Sequence, residues 1–235
     1  MAEEMLDEMK EKVETIKETL DLELEPVAVN LFLEEDDVPD DYEKADEKLR
    51  HCEFVMKVAR GEIDKVYATA AEQLCGGGAA AIGVASIPEP VKTGAFYHKQ
   101  LGQHMTPSGS KGTVDLVPKA GDGEKVFEAV GYAAASDVVI PPDAVLIVCT
   151  PKQALHIVQA YLFPTGGRVE ADFSGIQSLC GDAVGGLVKG KEINVTLGCN
   201  GSRTYAKVPD ECVIVALKIS GLCKVGCAIT EIPIP

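Results

Sequence analysis

Two stretches of this chain spell the same order of elements, and each ends in a cysteine followed by glycine. In the first, Val27 to Leu33 is an apolar, β-branched run of strand length, Lys44 to Arg60 reads as a helix closed by Gly61, and Val66 to Ala70 is a short strand. Leu74-Cys75-Gly76-Gly77-Gly78 comes next. In the second, Ala144 to Thr150 is a strand. Pro151 to Leu162 is a helix with proline in its first turn and Gly166-Gly167 beyond its end, and Arg168 to Phe173 is a strand. Leu179-Cys180-Gly181 follows. The shift that carries Cys75 onto Cys180 also carries Leu74 onto Leu179 and Gly76 onto Gly181. With small gaps, Gln100-Leu101-Gly102-Gln103 aligns with Thr196-Leu197-Gly198-Cys199. Such a repeat predicts an α/β (or α+β) fold, a mixed sheet from two repeated βαβ units with pseudo-twofold symmetry. Residues near a twofold axis meet their own counterparts, so Cys75 and Cys180 are expected to face each other.

Ahead of the repeat, Met1 to Leu24 reads as an amphipathic helix, with Met5, Met9, Val13, Ile16 and Leu20 at spacings of three and four and Pro26 beyond its end. The predicted organisation is an N-terminal helix over residues 1–25, a first half over 26–120 and a second over 121–235, in one compact domain.

Aromatic residues are 5% of the chain and Trp is absent, so the core must be built from Val, Ala, Leu and Ile. A net charge of −15 repels phosphate backbones and anionic membrane surfaces, and the shortage of aromatics removes base stacking; neither nucleic acid nor membrane is an expected partner. No apolar run approaches the roughly 20 residues that span a bilayer, and the start of the chain carries Glu3, Glu4, Asp7 and Glu8 where a secretory leader would be basic and then apolar. The expected location is the cytoplasm, where eight cysteines serve as core residues, metal ligands or reactive thiols rather than structural disulfides.

Cys75, Cys180 and Cys199 share a local grammar, with glycine close behind each: Cys75-Gly76, Cys180-Gly181 and Cys199-Asn200-Gly201. Glycine permits close backbone approach, and N–H groups aimed at a sulfur offset the charge of a thiolate or of a cluster sulfide. A strand-to-helix turn adds the helix N-terminus, which favours thiolate. Cys52, in a predicted helix after Arg50 and His51, is a fourth candidate ligand. None of the four forms a local CxxC pair, so a ligand set would be assembled by the fold. The backbone at Gly76, Gly181, Gly201 and Ser202, with the Arg203 guanidinium, suggests a pocket for a small anion. Cys149, Cys212 and His156 read as core, and Cys223 with Cys227 as a weaker metal pair. Glu72, Asp172 and Asp182 read as solvated turn residues.

The order Pro26-Val27-Ala28-Val29, Cys52, Ala59-Arg60-Gly61 and Cys75, then Pro151-Lys152-Gln153-Ala154, Gly166-Gly167, Cys180 and Leu197-Gly198-Cys199-Asn200-Gly201-Ser202-Arg203, resembles the uncharacterised family called domain of unknown function 169. The resemblance implies an origin in archaea or anaerobic bacteria. It also implies cysteines at the positions of Cys52, Cys75, Cys180 and Cys199, and often at that of Ser202, which is serine here. It implies no established reaction. Three functions stay open: an iron–sulfur or metal-binding protein of anaerobic metabolism with a small anionic substrate or a redox partner protein, a thiol-based redox enzyme or sensor, and a ligand-binding module without catalysis. Whether the chain is an enzyme or a homo-oligomer is open too.

Overall fold

The computed structural model describes residues 2–233; Met1, where the predicted first helix begins, and residues 234–235 lie outside the described residues. The elements in chain order are α1 (Ala2–Leu20), β1 (Val27–Phe32), β2 (Glu43–Lys44), α2 (His51–Ala59), β3 (Lys65–Thr69), α3 (Gly76–Ala81), α4 (Glu89–Lys92), a first π-helix (Phe96–Gln100) and α5 (Pro107–Leu116). Then come β4 (Ala129–Ala134), β5 (Ala144–Cys149), α6 (Pro151–Leu162), a second π-helix (Ser178–Gly185), α7 (Gly186–Val188), β6 (Ile193–Thr196), α8 (Asn200–Thr204), β7 (Val213–Leu217) and α9 (Ile219–Ala228).

Seven strands form one mixed sheet in the order β2-β3-β4-β1-β5-β7-β6, parallel only between β2 and β3. The central strands read as unbroken apolar runs because both faces are covered. On one face Val27, Val29, Leu146 and Val148 pack with Phe54, Met56, Ile82, Leu179 and Leu187, from α2, α3's C-cap, the second π-helix and α7. On the other, Ala28, Val145 and Ile147 pack with Met9, Val13, Ile16, Ile157 and Val225, from α1, α6 and α9. The buried stripe of α1 runs Leu6-Met9-Val13-Ile16-Leu20, and Met5, predicted on that face, is 41% exposed. Between α3 and β4 the chain inserts α4, the first π-helix and α5, which close a small core of their own around Val91, Tyr97, Val114, Val117 and Ile176.

The repeat register read from the sequence does not survive. Arg168 to Phe173, expected as a strand, is extended but unpaired in the sheet. Its backbone is held instead by two side chains: the Asn194 amide donates to the Asp172 carbonyl at 3.0 Å and accepts from the Asp172 N–H at 2.9 Å, and the Lys191 ammonium donates to the Glu170 carbonyl at 2.9 Å. Helices α2 and α6, expected as counterparts, lie on opposite faces of the sheet. The helix expected from Lys44 begins only at His51, because Glu43 and Lys44 pair with β3 and Leu49 bridges to Gln73.

Candidate thiol site

The four cysteines singled out by the sequence come together over the α2 face of the sheet, each delivered by a different element. Cys75 is the N-cap of α3, in extended conformation, and its sulfur accepts the Gly78 N–H at 3.3 Å. Cys52 is the second residue of α2. Cys180 is the third residue of the second π-helix, inside it rather than at the predicted strand-to-helix turn. Cys199 is the N-cap of α8, just after β6. A methyl group added at Gly78 would stand 3.5 Å from the Cys75 sulfur and 3.6 Å from the Cys180 sulfur, so both reach one point above that glycine. Ionisation of Cys180 is opposed first by burial and then by negative charge on Cys75, Cys199 and Cys52, which places all four thiols within electrostatic reach of one another. Cys52 is pushed up in the same way, by burial first and then by Cys199 and Cys75.

Cys199 differs. Burial opposes its ionisation too, but the hydroxyl and N–H of Ser178 and the N–H of Ser202 turn toward its sulfur and outweigh burial, leaving the thiol below its ordinary value. Ser178 sits directly after Gln177, which holds a left-handed φ of 49° to start the π-helix. Such π-helices concentrate at functional sites.

Three further side chains close the site. The Tyr97 hydroxyl, buried, accepts a hydrogen bond from Gln177 Nε2 at 3.0 Å, and burial followed by the charge of Cys180 holds its phenol protonated, with Cys75 and Cys199 adding to the effect. A methyl at Gly77 would meet Gln177 Nε2 at 2.9 Å and the Tyr97 oxygen at 3.0 Å, so glycine is needed for that pair to reach the thiols. Below lies Tyr132 on β4, whose hydroxyl meets His51 Nδ1 at 2.9 Å and Gln73 Nε2 at 3.2 Å. Burial pushes His51 down to about 4, so its ring is neutral. His51 Nε2, Gln73 Oε1 and Gln177 Oε1 are buried without a well-formed hydrogen bond. Buried polar atoms are normally satisfied, and these lie beside the thiols.

The predicted anion pocket is corrected. The Arg203 guanidinium is directed at four backbone carbonyls, of Leu197, Val208, Pro209 and Cys212, and anchors the turn after β6 rather than facing a ligand. Ser202 is fully buried; its hydroxyl accepts from the Cys199 N–H and donates to the Cys199 carbonyl, both at 2.9 Å. Gly76 is there for packing, since a methyl would meet Pro88 at 2.7 Å; Gly181 likewise lies against Val117, where a methyl would stand 2.4 Å away. The Gly181 N–H does reach Cys180 and favours its thiolate. A methyl at Gly201 would be in ordinary contact with the Cys199 sulfur at 3.7 Å. His156 is a core residue bonded to the Ile229 carbonyl at 3.0 Å, and Cys149 is buried. Cys212, also read as core, is only partly buried. Asp182 is not a solvated turn residue: it is 2% exposed, and burial pushes its carboxyl up to about 6. Tyr97, Gln177, Ser178 and Tyr132 carried no signal in the sequence, because nothing local distinguishes them from core residues.

Comparison with known proteins follows this geometry. The model of the family described as DUF169, Uncharacterised ArCR, matches residues 15–226, a span that holds all four thiols. The chain belongs to the DUF169 family. Uncharacterized protein MJ0308 of Methanocaldococcus jannaschii is 43% identical to it over 212 residues, 90% of this chain and 89% of that one. No solved structure matches the chain. DUF169 carries no assigned reaction, so function has to be argued from the site. No helix among the described residues is long and apolar enough to cross a membrane.

Proposed function

We propose that this DUF169 protein holds an iron–sulfur cluster on Cys75, Cys180 and Cys199, with Cys52 as the fourth ligand. The observation that carries the reading is the convergence of four thiols from four elements into one electrostatically coupled group ringed by unsatisfied buried polar atoms. Negative charge on neighbouring thiols opposes ionisation of Cys180 and Cys52, and a cationic guest would relieve that repulsion. Among the described residues no three His, Cys, Asp or Glu side chains are placed to hold a single metal ion. When bound, an iron–sulfur cluster supplies electron transfer or a Lewis-acidic iron. The chain's own residues do the rest. N–H groups of Gly78, Gly181 and Ser202 aim at sulfurs. The Tyr97 hydroxyl, accepting from Gln177, keeps its proton free to donate into the site. The sheet supports a twofold element in the reading. Leaving out the two-residue edge strand β2, each flank outward from the β1–β5 pair runs first, third, second strand in chain order, and Cys75 after β3 then corresponds to Cys199 after β6, each capping a helix.

Purification without oxygen, a visible spectrum and iron and sulfide counts test this. The expected result is a brown protein carrying iron and acid-labile sulfide in equal amounts, with the colour lost in Cys180→Ser. A wild-type chain that stays colourless and iron-free after reconstitution with ferrous iron and sulfide overturns it.

One observation favours a second reading. Cys199 is the thiol whose environment favours thiolate, and Cys180 and Cys75, whose charges act with it on one site, are the candidates to resolve it in a thiol-based redox enzyme or sensor. Iron-free protein whose Cys199 alone is alkylated rapidly by iodoacetamide at neutral pH would support it.

A further inference from the structure

On the same π-helix as Cys180, Asp182 forms the floor of a separate cleft of about 790 Å³. One wall is α5 with the turn after it, through Gly112, Val117 and Pro118; the other is the extended segment ending at Phe173 and Ser174. The rim is apolar and open, with Leu116 85% exposed and Phe173 54% exposed. The floor is the opposite. Asp182 is 2% exposed, and its carboxylate has only long contacts, from the Ser174 N–H at 3.3 Å, the Ser174 hydroxyl at 3.4 Å and the Thr196 hydroxyl at 3.3 Å. Among the described residues Asp182 has no ion-pair partner, and no basic side chain lines the cleft; Lys191 is paired with Asp172 at 2.6 Å.

A buried carboxylate without a counter-charge costs several kcal/mol unless something supplies one. A concave apolar site with one convergent charged group is the usual form of a small-molecule pocket. We propose that this cleft binds a small organic cation, its ammonium or guanidinium group on the Asp182 carboxylate and its apolar body between Val117, Pro118 and Phe173. The charged side chains lining the cleft, Asp172 and Asp182, are both acidic and would repel a free phosphate or carboxylate. The site stands apart from the thiols and does not depend on whether they hold a cluster.

The test is calorimetric titration of the full-length protein, as purified, with methylammonium, benzylammonium, phenethylammonium and butylguanidinium, with benzyl alcohol and benzoate as controls. Benzylammonium and its homologues are expected to bind, benzyl alcohol about tenfold or more weakly, and benzoate not at all. Asp182→Asn should weaken the cations about tenfold or more. Because a buried substitution can unfold the chain, a second variant is Gly112→Phe. Gly112 has open space where a side chain would start, so phenylalanine there fills the cleft without a clash and should abolish binding while the unfolding temperature holds. Absence of binding by all four cations overturns the proposal. So does equal affinity for benzyl alcohol and benzylammonium, or a folded Asp182→Asn or Gly112→Phe protein that binds as the wild type does.

Discussion

Replacing Gly78 by alanine should stabilise the protein and yet empty the thiol site. Gly78 lies in the first turn of α3 at a φ that any residue adopts, and the added methyl would stand 3.5 and 3.6 Å from the Cys75 and Cys180 sulfurs, ordinary contact distances. No atom has to move in the metal-free chain. Alanine gains up to about 1 kcal/mol over glycine inside a helix, and part of that gain comes from a less disordered unfolded state. In a chain of 235 residues this raises the unfolding temperature by about 2–4 °C. The same methyl occupies the point that both sulfurs approach, which is where a bridging group would have to sit. Iron content after reconstitution should therefore collapse while thermal unfolding of the metal-free protein moves upward. The neighbouring glycines calibrate the result: Gly76→Ala should destabilise, because its methyl would meet Pro88 at 2.7 Å. A Gly78→Ala protein that takes up a full complement of iron and sulfide would refute the placement of the cluster between Cys75 and Cys180.

Two other measurements bear on separate parts of the structure. Ser178→Ala removes a hydroxyl turned toward the Cys199 sulfur, so alkylation of Cys199 in metal-free protein near pH 7 should slow about tenfold, with little change in stability; an unchanged rate would show that Ser178 does not favour the thiolate. Glu192 ties α6 to α9 by accepting from Tyr161, Ser220 and Lys224, and hydrogen bonds from Lys224 first, then Ser220 and Tyr161, hold its carboxyl down to about 2 against an ordinary 4.5. A depressed carboxyl contributes stability above its unfolded value and loses it as pH falls. Between pH 4.5 and about 2 the wild type should therefore lose about 1 kcal/mol more than Glu192→Gln, a figure reduced for solvent screening because this side chain is 38% exposed. Denaturant unfolding at several acidic pH values checks this, and parallel curves for the two proteins would count against it.

Some of this was written in the local sequence. An apolar run such as Ala144–Cys149 can only be a strand buried on both faces, and Pro151–Leu162 announces its start and its face through Thr150, Pro151 and the spacing of Ala154, Ile157 and Ala160. The glycines behind Cys75 and Cys199 placed both at turns beside helix starts, where the structure has them as N-caps. Those signals act over three or four residues, which is the range of a cap, a turn or a helical face.

What lay beyond that range only the packed chain decided. Arg168–Phe173 has the composition of a strand, but its backbone found the Asn194 amide before it found a neighbouring strand, so the repeat register that paired Cys75 with Cys180 failed. Arg203 next to a glycine turn looks like an anion ligand until the carbonyls of Leu197, Val208, Pro209 and Cys212 surround it. Tyr97 and Gln177 are eighty positions apart and become partners only because Gly77 leaves room for both. Which thiol ionises is decided the same way: burial pushes Cys52 and Cys180 up, and at Cys199 hydrogen bonds outweigh the loss of water. Local sequence fixes the conformation of a segment, whereas the charge a buried group can carry depends on every element packed against it.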